Sequence, residues 1–146
     1  MDWLKRIQGA TVGIDTAPLI YFIEEHPKYL NLLDAFFLAA KEHKISLVTS
    51  TLTITEVLVH PLIKGNMGLV NEYKSILLPA DGLEIVPINN EVAETAAGLR
   101  AKYNISTPDA LQIAAAFISG AKYFLTNDLK LKHVQDINVL CLNDLC

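Results

Sequence analysis

The sequence contains little cysteine and no histidine arranged for soft-metal binding. Its 146 residues include two cysteines, Cys141 and Cys146, which are too few for a disulfide framework. There is no CxxC motif and the four histidines are scattered, so a zinc site at the usual spacing is not predicted. We therefore expect two free thiols, with Cys141 in the core.

Long apolar runs are also missing. No run approaches the roughly 18 to 20 residues that a membrane-spanning helix needs, and residues 1–6 lack the apolar segment of a signal peptide. We expect a cytoplasmic protein that makes no use of a membrane. Since 51% of the residues are hydrophobic, residues 1–146 have the length and composition of one packed domain.

Positive charge is not in excess. Lysine and arginine number 12 against 16 aspartates and glutamates, which gives a net charge of -4. A protein that holds nucleic acid by surface charge alone neutralises phosphates with lysine and arginine. The sequence argues against that mode of binding, and any function on nucleic acid must account for the acidic residues.

Several catalytic motifs are absent. The chain has no GxGxxG, no GxxxxGK[ST], no GxSxG and no HExxH, which disfavours the enzyme classes that depend on them. A phosphatase of the haloacid dehalogenase type needs a second aspartate two residues after the one that ends its first strand. Asp15 is followed at that distance by Ala17, so this alternative is also disfavoured.

Short runs rich in β-branched residues alternate with longer segments of helical periodicity. The runs predict strands at residues 11–15, 44–49, 84–88, 122–126 and 137–140. The periodicity predicts helices at residues 17–25, 29–43, 52–59, 67–77, 90–103 and 108–119. Strands joined by helices form parallel pairs with right-handed crossovers. The predicted fold is a single-domain, doubly wound, Rossmann-like α/β sheet of about five strands flanked by helices.

Two local signals set helix boundaries. Pro61 is expected to stop the third predicted helix, because proline interrupts a helix interior. Thr107 and Pro108 are expected to start the last one, with threonine as the cap and proline in the first turn, and Gly120 to end it.

Four acidic residues occupy positions where a ligand site is expected. Asp15 ends the first predicted strand and Asp128 follows the fourth by two residues, so both belong at the carboxyl edge where parallel sheets bind ligands. Glu56 lies on an apolar helix face. Asp109 opens the helix that precedes the fourth strand, and connectivity alone predicts it at the opposite edge. Taken singly, an acid at a helix start is more often a cap or a dipole-complementing charge than a metal ligand.

The sequence around these acids resembles the PIN-domain family, including the VapC-type toxins of toxin-antitoxin pairs. The resemblance covers residues 11–142 and rests on four motifs in order: VGIDTAPLIY at 12–21, STLTITEV at 50–57, STPDALQIA at 106–114 and YFLTND at 123–128. Residues 97–100 also fit the family. Gln112 stands where such toxins often carry histidine, and basic residues are few. Both departures concern substrate contacts rather than the metal site.

The resemblance implies a PIN-like fold in which Asp109 joins Asp15, Glu56 and Asp128 in one acidic site. Such a set of carboxylates suits Mg2+ or Mn2+, because these hard ions prefer oxygen ligands. Two divalent ions roughly 4 Å apart can supply everything that phosphodiester hydrolysis requires. In the implied site, Asp15 and Asp109 are ligands of the principal ion, while Glu56 and Asp128 complete the shell or orient the attacking water.

Other side chains are candidates for supporting roles. Thr16, Thr126 and Asn127 are expected to hydrogen-bond the carboxylates or metal-bound water, although residues beside a strand end are also ordinary turn formers. Arg100 is a candidate phosphate clamp, with a surface salt bridge as the equally open alternative. Substrate is further expected at a modest basic lip near Asp128, formed by Lys122, Lys130, Lys132 and His133.

The resemblance implies a metal-dependent endoribonuclease acting on RNA, the toxin of a toxin-antitoxin pair. An antitoxin segment is expected to cover the apolar helices at residues 20–37, and the apolar content of residues 17–37 favours a homodimer. Two alternatives remain open. One is a stand-alone PIN nuclease of RNA processing, and the other is a catalytically silent binding module with the same fold.

Overall fold

A parallel sheet forms the centre of the protein, whose structure is a computed structural model that describes residues 2–146. Its strands are β1 (Thr11–Ile14), β2 (Ser46–Ser50), β3 (Leu83–Val86), β4 (Tyr123–Thr126) and β5 (Asn138–Cys141). The strand order is β3-β2-β1-β4-β5, and all neighbours pair in parallel. The predicted doubly wound sheet is confirmed, and each strand boundary lies within two residues of its predicted position.

Helices connect and cover the strands. They are α1 (Asp2–Arg6), α2 (Thr16–Ile23), α3 (Leu30–Lys41), α4 (Thr51–Ile63), α5 (Met67–Leu77), α6 (Asn90–Lys102), α7 (Thr107–Ile118), α8 (Leu142–Leu145) and a 3-10 helix at Leu129–His133. The six predicted helices are present. The two terminal helices and the 3-10 helix were not predicted, since segments of four or five residues are too short to show a periodicity. Within residues 2–146, no helix has the length and apolarity needed to cross a membrane.

The expectation that Pro61 stops its helix is wrong. Helix α4 continues to Ile63, and the Pro61 ring is buried inside it. Proline lacks only its own N–H, and here it lies in the last turn, where the groups that follow still find acceptors. Lys64 N donates to the carbonyl of His60 at 3.1 Å, and Asn66 N donates to that of Pro61 at 2.9 Å.

Both ends of α7 are fixed by local hydrogen bonds. Ser106, rather than the expected Thr107, caps its start, and the Ser106 hydroxyl accepts from Asp109 N at 3.3 Å. At the other end Gly120 has a φ of +83°, which glycine adopts without steric cost. The N–H groups of Gly120 and Ala121 bond back to the carbonyls of Phe117 and Ala116, the pattern of a Schellman motif.

Two hydrophobic clusters lie on opposite faces of the sheet. Val12 and Leu47 join the cluster beneath α1 to α5, whereas Val48 and Phe124 join the one beneath α6 and α7. Successive side chains of a strand point to opposite faces, so the layers are helices, sheet and helices. Both cysteines are free, and Cys141 is buried as expected.

Helix α7 packs directly on β1 at Gly13. A Cβ atom at Gly13 would lie 2.4 Å from the Ala116 Cβ and 3.0 Å from a ring carbon of Phe124. No side chain fits there without displacing the helix. Asp109, Gln112 and Ala116 are spaced by three and four residues and therefore share one face of α7. The contact at Gly13 thus directs this face of the helix toward the carboxyl end of β1.

We expect Gly13→Ala to destabilise the protein by about 1 to 3 kcal/mol, because the added methyl group overpacks the contact between β1 and α7. The measurement is the free energy of unfolding by urea denaturation. Gly98→Ala is the matched control, since a Cβ there meets nothing within 4 Å. Gly98 lies inside α6, where alanine should stabilise by up to about 1 kcal/mol. A Gly13→Ala protein as stable as wild type would contradict the close packing.

Candidate active site

The carboxyl ends of β1 and β4 form the crevice in which the site lies. These central strands pair through Ile14 and Leu125, and the order of the sheet reverses between them. Ligands of open α/β sheets bind at such a switch point. Asp15 follows β1 directly as the cap of α2, and Asp128 follows β4 as the cap of the 3-10 helix. These two acids therefore lie at one edge, as the sequence predicts.

Thr126 links the two acids. It is the last residue of β4 and is fully buried. Its hydroxyl donates to Asp15 Oδ2 at 2.8 Å and accepts from Asp128 N at 3.1 Å. Asp15 Oδ1 accepts from Thr16 N at 2.8 Å. Both oxygens of Asp15 are thereby held by protein donors.

Glu56 approaches the same edge from α4. Ser50 ends β2 and caps this helix, so Glu56 falls in its second turn. Glu56 Oε1 accepts a 2.7 Å hydrogen bond from the hydroxyl of Thr16, whose side chain is buried. Thr16 therefore contacts Asp15 through its backbone and Glu56 through its side chain.

The expectation from connectivity that Asp109 lies at the opposite edge is wrong. Helix α7 runs antiparallel to the strand that it leads into, so its first turn lies at the carboxyl edge and its last turn at the start of β4. The charge of Asp109 acts on Asp15, and the charges of Asp128 and Glu56 act on Asp109. The four acids therefore lie on the same edge of the sheet, near enough for their charges to act on one another.

Burial and mutual repulsion disfavour the ionised forms of two of these acids. Burial raises the pKa of Asp15 to about 6, against the lowering effect of its hydrogen bonds from Thr126 and Thr16. Burial also raises the pKa of Asp109, and the nearby carboxylates of Asp128 and Glu56 add to the effect. The surroundings of Asp15 and Asp109 therefore favour the protonated forms of both carboxyl groups.

The carboxylate oxygens of these acids have the donor chemistry that a divalent cation such as Mg2+ prefers. Among residues 2–146 no three His, Cys, Asp or Glu side chains form a ready-made metal cage. Mg2+ does not require one, because it keeps several waters and binds through one or two carboxylates. The carboxylate oxygens are hard donors. A bound cation would favour the ionised forms of Asp15 and Asp109, which burial disfavours. In addition, Asn127 Oδ1 is buried without a hydrogen-bond partner, while its Nδ2 donates to the Tyr21 hydroxyl at 3.4 Å.

Sequence reasoning did not identify the polar residues beneath the carboxylates. Gln112, Thr49, Ser50 and Thr53 are all buried and hydrogen-bonded to one another or to Thr16. The Gln112 side chain is only 3% exposed, so it lies in the interior beneath the acids. The available signal was a glutamine within an apolar helical run, which indicates a buried amide with partners.

Arg100, near the end of α6, hydrogen-bonds the segment that connects α6 to α7 and the first residue of α7. Its Nε donates to the Ile105 carbonyl at 3.0 Å, and its Nη1 donates to the Thr107 hydroxyl at 2.8 Å. The guanidinium is thus anchored at the start of α7, two residues from Asp109.

The expected basic lip is only partly present. Lys130 lies close enough to Asp109 for its charge to lower the pKa of that acid. Lys122 instead precedes β4 and lies at the amino edge of the sheet. Lys132 forms a 2.6 Å ion pair with a carboxylate of α8, and the His133 ring packs edge-on against an aromatic ring at the end of α6.

The chain matches a family model. The model for the PIN domain aligns with residues 12–137, a span that includes all four acids. No curated protein is significantly similar in sequence to the chain.

Several solved structures share this fold, and one of them is a toxin-antitoxin complex. A chain of VapBC2 from Rickettsia felis, bound to a promoter DNA fragment, is 20% identical with a TM-score of 0.66, over 90% of this chain and 98% of that one. A chain of a toxin-antitoxin complex from Klebsiella pneumoniae is 20% identical with a TM-score of 0.66, over 92% of this chain and 98% of that one. A chain of FitAcB from Neisseria gonorrhoeae is 18% identical with a TM-score of 0.67, over 90% of this chain and 97% of that one. At these identities the likeness shows a shared fold.

We expect Asp15→Asn to alter the pH dependence of stability. The pKa of Asp15 rises from 3.8 to about 6 on folding, so the folded state binds the proton more tightly than the unfolded state. The resulting stabilisation is complete below about pH 4 and is lost as the pH rises through about 6. In EDTA, wild type should therefore lose up to about 3 kcal/mol relative to the variant over that window.

Urea denaturation of both proteins at several pH values measures this difference. Asp34→Asn is the control, since Asp34 is exposed on α3, and its difference from wild type should stay constant with pH. A constant difference for Asp15→Asn as well would show that the carboxyl group is not destabilised by its surroundings.

Proposed function

Since the chain belongs to the PIN-domain family, whose members are generally nucleases, we propose that it is a metal-dependent endoribonuclease that hydrolyses RNA phosphodiester bonds. The observation that carries the proposal is the meeting of Asp15, Glu56, Asp109 and Asp128 at the switch point of the sheet, where two of them have raised pKa values. Carboxylates grouped at such a cost in stability are typical of a functional site.

Asp15 and Asp109 are the residues that would hold Mg2+ or Mn2+, with Glu56 and Asp128 completing the shell or orienting the attacking water. When bound, the cation supplies an electrophile for the phosphoryl oxygens and a water acidic enough to act at neutral pH. A carboxylate oxygen has two lone pairs. Asp15 can therefore accept its hydrogen bonds from Thr16 and Thr126 and still offer lone pairs to a cation.

The threonines in this proposal fix the carboxylates before substrate arrives. Thr126 holds Asp15 from β4, and Thr16 holds Glu56 from α2. Both hydroxyls are buried, so their geometry is set by packing rather than by solvent. Asn127 belongs to the same outer group, with its unpartnered oxygen as a neutral donor to a cation or its waters.

We assign RNA binding to Lys130 and Arg100. The charge of Lys130 acts on Asp109, and Arg100 is hydrogen-bonded to Thr107, two residues before Asp109 in the chain. The net charge of -4 is consistent with this function when the acids are counted as part of a cation site. Lysine and arginine side chains would then neutralise few RNA phosphates, and the bound cation would offset the charge of the phosphate at the site.

We further propose that the protein acts in the cytoplasm as the toxin of a toxin-antitoxin pair. The support is the similarity in fold to these solved structures, one of which is a toxin-antitoxin complex. A stand-alone nuclease of RNA processing is the alternative within the same chemistry. A silent binding module is disfavoured, because all four acids are present and gathered in one place.

Protein partners in this proposal are an antitoxin and a second copy of the chain. Apolar side chains of residues 17–37 were expected to bind them. Leu19, Ile23, Leu33 and Phe36 are buried in the protein's own core, whereas Ile20, Phe22 and Phe37 are only partly buried. Exposed apolar residues instead gather at the end of α4 and the start of α5: Val59, Leu62, Ile63 and Met67. We name these four residues the α4–α5 patch and assign the homodimer contact to it, because grouped exposed apolar residues favour association.

We expect Asp109→Asn to separate a cation site from an ordinary helix start. Within a cluster of carboxylates, removing one charge relieves repulsion on the order of 1 kcal/mol, so the variant should be more stable than wild type in EDTA. In excess Mn2+ the order should reverse, since wild type gains melting temperature through binding. Wild type should cleave single-stranded RNA only with Mg2+ or Mn2+, and the variant should not cleave it.

Thermal melts in EDTA and in Mn2+, beside an RNA cleavage assay, make this measurement. Glu91→Gln is the matched control, since Glu91 is an exposed acid in the first turn of α6. Its loss should cost at most about 1 kcal/mol with or without metal. Cleavage by wild type that persists in EDTA would disprove the metal mechanism. An Asp109→Asn protein that responds to Mn2+ like wild type would remove Asp109 from the site.

We expect a homodimer at tens of micromolar by light scattering. Ile63→Glu should weaken it, because Ile63 is 76% exposed in the α4–α5 patch and a buried unpaired charge opposes association. Leu38→Glu is the control, since Leu38 is exposed on α3 outside the patch. A monomeric wild type would overturn the dimer, and dissociation by Leu38→Glu but not by Ile63→Glu would relocate its interface.

A further inference from the structure

A buried polar network lies directly beneath the carboxylates and has Gln112 at its centre. Gln112 comes from α7 on one side of the sheet, whereas Thr16 and Thr53 come from α2 and α4 on the other, and Ser50 ends β2. Each of these side chains is at most 8% exposed. The network therefore joins both helical layers across the carboxyl ends of the strands, out of contact with bulk water.

The backbone carbonyl of Ile14 determines the direction of the hydrogen bonds that join Thr49, Thr53 and Gln112. The Thr49 hydroxyl donates its proton to the Ile14 carbonyl at 3.0 Å. In the 2.7 Å contact between Thr49 and Thr53, the proton must therefore come from Thr53. Thr53 has then used its proton and can only accept from Gln112 Nε2, at 2.7 Å.

The other amide hydrogen of Gln112 fixes Thr16 in the same way. Gln112 Nε2 donates to the Thr16 hydroxyl oxygen at 3.1 Å. The carboxylate oxygen of Glu56 only accepts, so the Thr16 hydroxyl donates its single proton to Glu56 Oε1 at 2.7 Å. Thr16 can then only accept from Gln112 Nε2, and its 3.4 Å contact with the Thr53 hydroxyl is longer than either of these bonds.

Ser50 fixes the orientation of the amide itself. The Ser50 hydroxyl accepts from Leu52 N at 3.2 Å and donates to Gln112 Oε1 at 2.7 Å. A flipped amide would place its oxygen against Thr16 and Thr53, whose protons are already committed to Glu56 and Thr49, and would leave the Ser50 proton without its acceptor. Only one orientation of Gln112 satisfies every member of the network.

We infer that Gln112 is a positioning residue, which directs the Thr16 hydroxyl proton onto Glu56 and so holds that carboxylate at the site. The inference rests on the proposed nuclease function for its catalytic consequence. Gln112 does not touch the acids or the crevice and acts only through Thr16. Since the backbone N–H of Thr16 also bonds Asp15, fixing Thr16 orders two of the four acids.

The test combines Gln112→Met, Thr16→Val and the double variant. Methionine keeps the length of glutamine and removes both amide hydrogens. Ile113→Val is the matched control, since Ile113 is the next residue of α7, fully buried, and apolar. For each protein the measurements are kcat and KM for RNA cleavage in Mn2+, the Kd for Mn2+ by calorimetry, and the Tm in EDTA.

Thr16 is the direct partner of Glu56, and losing such a partner of a metal ligand usually costs about tenfold to a hundredfold. Gln112→Met, which acts through Thr16, should lower kcat or weaken Mn2+ binding by up to that amount. KM for RNA should stay within about twofold, as expected for a residue remote from substrate. Thr16→Val should show a comparable loss, and the double variant should lose no more than Thr16→Val alone, because both changes break one connected chain. Ile113→Val should change Tm alone.

Two outcomes of these measurements would overturn the inference. One is a Gln112→Met protein that matches Ile113→Val in kcat and in Mn2+ affinity. The other is a pair of losses that multiply in the double variant, which would show that Gln112 acts by a route other than Thr16.

A further measurement on the metal-free wild type separates this inference from the proposed function. The side-chain NH2 of Gln112 and the Thr16 hydroxyl proton should give slowly exchanging resonances in NMR spectra, and Gln112→Met should abolish that of Thr16. A wild type that neither binds Mn2+ nor cleaves RNA, yet shows these resonances, would overturn the nuclease proposal and support the positioning of Thr16. Rapid exchange of both groups would overturn the positioning.

Discussion

At Gly13 the backbone of β1 lies against the Ala116 side chain of α7, and a methyl group on Gly13 would meet that side chain at 2.4 Å. This approach fixes the height and rotation of α7 on the sheet. One turn toward the helix start, the same face presents Gln112, and a further turn presents Asp109. Asp15 lies two residues beyond Gly13, directly after the end of β1. The contact therefore sets where the glutamine and two of the acids meet.

The electrostatics of the site are decided by burial rather than by hydrogen bonding. Asp15 accepts bonds from Thr16 and Thr126, each of which favours its ionised form, and still its pKa is raised to about 6. Desolvation therefore outweighs two good hydrogen bonds. The fold bears this cost at the switch point of the sheet, where a cation would offset it. Local destabilisation of this kind is common where function, rather than stability, has set the residue.

The polar groups beneath and beside the acids differ in how completely they are satisfied. Gln112 uses its oxygen and both amide hydrogens, and the hydroxyls around it each donate once. A network so complete stiffens the floor of the site. Asn127 contrasts with it, because its Oδ1 is one of two buried side-chain atoms in residues 2–146 that lack a partner. The polar groups around Gln112 therefore have no hydrogen bond left to offer a ligand, whereas Asn127 Oδ1, which follows β4, has one.

The sequence by itself determined the strands, the six longer helices and the shared edge of Asp15 and Asp128, because apolar periodicity and chain connectivity are local properties. Resemblance in four short motifs added Asp109 and Glu56. Only the tertiary structure decided the hydrogen-bond partners of Gln112, Thr16 and Thr126. The hydrogen bond from Gln112 to Thr16 joins residues 96 positions apart. Periodicity predicts that such a glutamine is buried, but its partners are chosen by the packing of α7 on β1.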